Sequence, residues 1–162
     1  MTNAQGSTHK IQVVETPRWF LDRVEQHFGR IYHDAAATAK NAVVPSFFSE
    51  ENSALTQDWP LDPHGVVWCN PPFRLFGKFT AKAAEQQVHG VDTVMLVTAS
   101  ISCNWWQWHV HRRAHVFPIK RIKFVGHDTP FPKDLALLYY NPLERYVENG
   151  YHRRLDWSEP KE

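Results

Sequence analysis

The chain has little of what would tie it to an oxidising compartment or a membrane. Only two cysteines, Cys69 and Cys103, occur in 162 residues, too few for a disulfide framework, which points to a reducing, cytoplasmic setting. No window approaches the roughly 18 unbroken apolar residues of a membrane helix. Met1 to Lys10 are polar and lack the apolar run of a secretion signal, so a soluble protein is expected. Neither charge sign dominates: 18 basic residues face 17 acidic ones, and the overall balance does not announce a nucleic-acid partner. His109, His111 and His115 have no cysteine pair or acidic residue beside them, so no metal site is expected and a histidine-metal nuclease is disfavoured. There is no internal repeat.

What is present suffices for one packed domain. Hydrophobic side chains make up 43% of the chain and aromatics 14%, including seven Trp, enough for one core but not two. The expected organisation is a tail over residues 1–12, one domain over 13–157 and a second tail over 158–162. Thr16-Pro17 suits a helix start, with Trp19, Phe20, Val24 and Phe28 on one face and Gly29 as the stop. Ile31-Tyr32 predicts a short strand ending at Asp34, and residues 40–63, rich in Asn, Ser, Asp and Pro, predict loops around short elements.

Val66-Val67-Trp68-Cys69 predicts a buried strand halted by two prolines. Phe76 to His89 predicts a helix with Phe76, Phe79, Ala83 and Val88 on its apolar side, ended by Gly90. Thr93 to Thr98 predicts a second buried strand. Beyond it, Cys103 to Arg113 reads as helix, and Arg121 to Val125 and Leu135 to Tyr140 as strands. Strand and helix alternating from Ile31 to Val97 argue for parallel βαβ units, and the last two strands for a closing antiparallel hairpin. The expected fold is α/β: one compact domain with a mostly parallel, Rossmann-like sheet.

In such sheets ligands bind beyond the carboxyl ends of strands, where Asn70-Pro71-Pro72-Phe73 falls. Prolines 71 and 72 stiffen the loop, leaving the Asn70 amide oxygen and the Pro71 carbonyl as fixed acceptors for both hydrogens of one amine. A planar aromatic amine is a weak nucleophile because its lone pair is delocalised into the ring. Two acceptors on its hydrogens favour pyramidal nitrogen and stabilise the charge that develops during attack. Phe73 would stack on a base flipped out of a duplex.

Around this motif stands an ordered series: Thr16-Pro17 with Trp19-Phe20, Phe28-Gly29, Asp34-Ala35-Ala36-Ala37, Asn41-Ala42, Phe48, Leu55, Gln57-Asp58-Trp59, Val67 to Phe73, Trp105-Trp106 and Arg121-Ile122-Lys123-Phe124. In this series the chain resembles the small phage-type DNA adenine methyltransferases from about Thr16 to Tyr140. The resemblance implies a Rossmann-like methyltransferase fold, S-adenosylmethionine as donor and adenine in double-stranded DNA as acceptor. It further implies a short site such as GATC and protection of phage DNA in a bacterial host. By position, Asn70, Pro71, Pro72 and Phe73 would carry catalysis. Thr16, Pro17, Asp34, Ala35, Ala36, Asp58 and Trp59 would belong to the cofactor site, with Asp58 towards the cofactor's adenine or ribose. Two departures stand out: alanines follow Asp34 where a glycine-rich loop is usual, and Phe73 replaces the commoner tyrosine.

Plainer roles compete for several of these residues. Asp34 suits a helix cap, Asp58 a self-bonded loop, and Trp59 and Trp68 the core. Arg112, Arg113, Lys120, Arg121 and Lys123, in an acid-free run beside Trp105 and Trp106, suit phosphate contact with base stacking, although the tryptophans suit the core equally. Sequence choice falls to loops such as Ser46 to Leu55 and Ile101 to Pro118, in a monomer or homodimer. The competing functions are methylation of a protein glutamine amine and a non-catalytic nucleic-acid-binding protein that retains the fold.

Overall fold

A computed structural model describes residues 14–162; the expected tail over residues 1–12 lies outside the described residues. Three apolar runs become parallel strands, β1 (Arg30–Asp34), β2 (Gly65–Cys69) and β3 (Thr93–Thr98). Two more, β4 (His115–Ile119) and β5 (Leu135–Tyr140), complete a sheet ordered β1-β2-β3-β5-β4. β5 is antiparallel to both its neighbours, so it alone runs against the other four strands. The hairpin expected late in the chain is therefore present, but its second strand sits between β3 and β4.

The fourth strand is His115–Ile119, not the expected Arg121–Val125. The misleading signal is physical: Ile122 and Phe124 are both buried while Arg121, Lys123 and Val125 are exposed, a period-two pattern in a segment that joins no ladder. The true strand contains Pro118, which an edge position tolerates because that strand lacks a partner on one side. Residues 150–155 cover that edge, with the His152 amide donating to Val116 O at 2.9 Å and the Leu155 amide to Pro118 O at 2.8 Å.

Helix α1 (Arg18–Phe28) buries Phe20, Leu21 and Val24, spaced three to four residues apart, and stops at Gly29 with φ of 124°, where glycine is the permissive residue. With Ile122 and Phe124 it covers one face of the sheet, packing on strand residues such as Leu137. Helices α2 (Phe76–Val88) and α3 (Asn104–His109) cover the other. Val88, expected on the apolar side of α2, is 50% exposed, because Gln86 and Gln87 turn inward and bond loop backbone at Trp59 and Asn141. The β2-to-β3 and β3-to-β4 connections each carry an α-helix, α2 and α3. Between β1 and β2 the chain makes a single 3-10 turn, Ala54–Thr56, as its Asn, Ser and Pro content predicts.

Candidate active site

A cavity of about 380 Å³ lies beyond the carboxyl ends of β1 and β2. Its floor comes from Ala35 to Thr38 after β1 and from Asn70 and Pro72 after β2, its far wall from Ser49 to Leu55, and its near wall from Leu75 and Phe79. A smaller recess, bounded by Val14, Thr16, Asp34, Val43 and Trp68, shares Ala36, Asn41 and Asn70 with it. Asn70 thus stands where the two meet.

The orientation of Asn70 is set by the start of the described chain. Its amide nitrogen donates to Val14 O and to Thr16 Oγ1, each at 3.0 Å. With both hydrogens directed there, Oδ1 must face the opposite way, and among the described residues neither it nor the Pro71 carbonyl accepts a hydrogen bond. Thr16 is therefore not a helix cap: Pro17 holds that position, with no side-chain bond.

Asp34 is 3% exposed and holds the loop over β1, accepting from Ala36 N at 3.2 Å and Val43 N at 3.1 Å. No helix follows for it to cap. Burial outweighs these two bonds and pushes its pKa up to about 6. The alanines are tight for the same reason that they are small: Ala35 N donates to Trp68 O, and Ala37 N to Phe48 O, each at 2.9 Å. His33 anchors the facing segment through Ser46 Oγ at 2.7 Å, and burial pushes its pKa down to about 4.

Three residues expected at the cofactor line neither the cavity nor the recess: Pro17, at the N-cap of α1, and Asp58 and Trp59. Trp59 is 4% exposed in the core, its indole donating to Ala54 O at 2.9 Å and its amide to Gln86 Oε1 at 2.9 Å. Asp58, exposed, faces the Gln86 amide at 3.4 Å. Both brace the wall from behind. Glu50, Glu51, Arg74, Leu75 and Phe79 line the cavity instead. The sequence reading assigns Ser46 to Leu55 to DNA sequence choice rather than to a cavity wall, and it gives Arg74 no role.

Phe73 packs between Phe76 and Phe131, with ring centroids 5.4 Å from each. Trp105 lies 5.6 Å beyond Phe76, half-buried. Trp106 is fully buried and donates to Tyr151 Oη at 3.1 Å, so its expected role as a base-stacking surface is replaced by core packing. The basic run is also divided. β4 passes through its middle, leaving Arg112 and Arg113 at the amino end of the sheet, where Gln87 at the far end of α2 donates to Arg113 O. Lys120, Arg121 and Lys123 follow the carboxyl end of β4, on the side of the cavity. Among the described residues no group of three His, Cys, Asp or Glu side chains is arranged to hold a metal, and no helix is long and apolar enough to cross a membrane.

Residues 6–135 match the family model for DNA N-6-adenine-methyltransferase (Dam). A DNA N-6-adenine-methyltransferase of Escherichia phage T1 is 36% identical over 91 residues, covering 56% of this chain and 37% of that protein. Another, of Haemophilus phage HP1, is 30% identical over 133 residues, covering 80% of this chain and 75% of its own. The chain therefore spans little more than a third of the first relative and three quarters of the second. The breadth of the family match, which takes in the Asn70 loop, both recesses and all of the sheet before β5, makes this chain a member of the DNA N-6-adenine-methyltransferase (Dam) family.

Proposed function

We propose that the protein transfers a methyl group from S-adenosylmethionine to the exocyclic amine of an adenine in double-stranded DNA, on a Rossmann-like methyltransferase fold. The observation that carries this reading is the anchored Asn70 amide, which turns Oδ1 outward at the edge of a nucleoside-sized cavity. Asn70 Oδ1 and the Pro71 carbonyl would accept hydrogen bonds from the two amine hydrogens and stabilise the charge that builds on nitrogen until one of those protons leaves to solvent. Phe73, fixed by its two aromatic neighbours, receives the flipped base.

The residues of the cavity fit the donor. A volume of about 380 Å³ lies in the range of small-molecule sites. Leu55, Leu75 and Phe79 offer an apolar wall for a purine, and Glu50 and Glu51 offer carboxylates for hydroxyls. Ala35 and Ala36 let the backbone approach closely, and Thr16 and Asp34 help to line the recess behind Asn70. The donor supplies a methyl group on a sulfonium, already activated for transfer. A short target site such as GATC and protection of phage DNA from host restriction complete the proposal, as the sequence resemblance implies.

The test is methyl transfer to an unmethylated plasmid, read as methyladenine by mass spectrometry of nucleosides. Methyladenine is expected from the wild type, and a loss of about a hundredfold from Asn70→Ala. No methyladenine from either would refute the reading and favour the glutamine-amine or non-catalytic alternatives.

A further inference from the structure

We infer that residues 120–134, the loop joining β4 to β5, form the element that reads the DNA sequence. This rests on the proposed reaction, and it places recognition elsewhere than the sequence does. Ser46 to Leu55 is committed to the wall of the cavity, and the Ile101 to Pro118 segment leads through a short helix to the far end of the sheet. The β4–β5 loop lies beside Phe73, which Phe131 touches at a centroid distance of 5.4 Å. A duplex that delivers an adenine to Phe73 must lie against it.

The loop is built as a supported finger. Ile122 and Phe124 are buried as pegs, and Phe131 packs on Phe124 at 5.6 Å. Val125 N donates to Glu15 O at 3.0 Å and Phe131 N to Ile122 O at 2.8 Å, closing the base. Between these pins every residue from Val125 to Pro130 is exposed. Gly126 takes φ of +81° with open space around it, so the tip turns sharply away from the core.

Its chemistry divides by height. Lys120 and Arg121 before the first peg, and Lys123 between the two, are exposed on the stem. Lys120 and Arg121 have only exposed acidic partners, Asp156 and Asp134, and such pairs are weak enough to yield to phosphates. At the tip, His127, Asp128 and Thr129 make no side-chain hydrogen bond among the described residues. They present a donor or acceptor, an acceptor and a hydroxyl, the groups that distinguish base edges, and Val125 adds an apolar surface suited to a thymine methyl. Stem cations hold the backbone while tip groups read bases.

Hydrogen exchange with and without a plasmid-derived duplex tests the assignment directly, alongside the profile of methylated sites. Protection of the 120–134 amides is expected on DNA binding. His127→Ala with Asp128→Ala should lower kcat/KM at the preferred site about tenfold or more and broaden the sequences methylated, with affinity for S-adenosylmethionine unchanged. Lys120→Ala with Lys123→Ala should weaken binding to all sequences and reduce the salt slope by about two, whereas Arg112→Ala with Arg113→Ala should leave it unchanged. An unprotected loop, or a tip variant with the wild-type site profile, overturns the assignment even if methyladenine forms. Protection of the loop with no methyladenine keeps the assignment and overturns the catalytic reading.

Discussion

Replacing Thr16 by valine keeps the shape of the side chain and removes one of the two acceptors that hold the Asn70 amide. The remaining acceptor, Val14 O at 3.0 Å, still disfavours the flipped amide, which would set two oxygens against each other. The loss is therefore that of one neutral hydrogen bond, about 1 kcal/mol, and kcat should fall about fivefold. If, as proposed, Oδ1 acts on the amine hydrogens as charge develops, the loss should fall on kcat, with KM for S-adenosylmethionine unmoved. Thr16→Ser restores the acceptor and should restore the rate. Steady-state kinetics on a duplex substrate and calorimetric cofactor binding supply both readouts. An unchanged kcat with weakened cofactor binding would refute the reasoning and make Thr16 a direct cofactor contact; failure of serine to match the wild type would show that the methyl group is needed as well as the hydroxyl.

Asp34 and Trp59 yield separate expectations. Asp34 holds its proton more tightly folded, at about 6, than unfolded, at 3.8, so it favours the folded state at low pH and that contribution is lost as pH rises through 6. Asp34→Asn cannot titrate and can accept only one of the two loop amides; its stability deficit should widen by about 1.4 kcal/mol between pH 8 and pH 5 in denaturant titrations, and a constant deficit would remove the buried-carboxylate account. Trp59→Phe deletes the donor to buried Ala54 O and should cost about 1–3 kcal/mol of stability, with S-adenosylmethionine affinity unchanged after correction for folding. A selective loss of affinity would return Trp59 to the cofactor wall.

Much of the fold was legible because apolar runs bounded by breakers have few alternatives. Val66 to Cys69 ending at two prolines, and Leu135 to Tyr140, are strands as read. The miss at Arg121 to Val125 shows the limit of periodicity: alternating burial reports which side chains turn inward and carries no information about backbone partners. Asn70 was legible as a candidate acceptor because prolines stiffen the loop after it. Its orienting contacts, 54 and 56 residues away, were not, since a hydrogen bond to a distant backbone carbonyl leaves no local pattern. The tryptophans were ambiguous for a related reason. Trp59 and Trp106 each satisfy an indole N–H inside the core, so their polar atom did not require a surface position.

The position of β5 also sets an order of events during folding. β3, buried along its whole length apart from Thr98, finds its second neighbour only when residues 135–140 have been made. β4 pairs with nothing else in the sheet. Until then two apolar strands present unpaired backbone to any other chain nearby, which is the condition for edge-to-edge aggregation. Once β5 enters the gap, both edges close in one step, and the long-range pairing that this requires should make sheet closure the slow event in refolding.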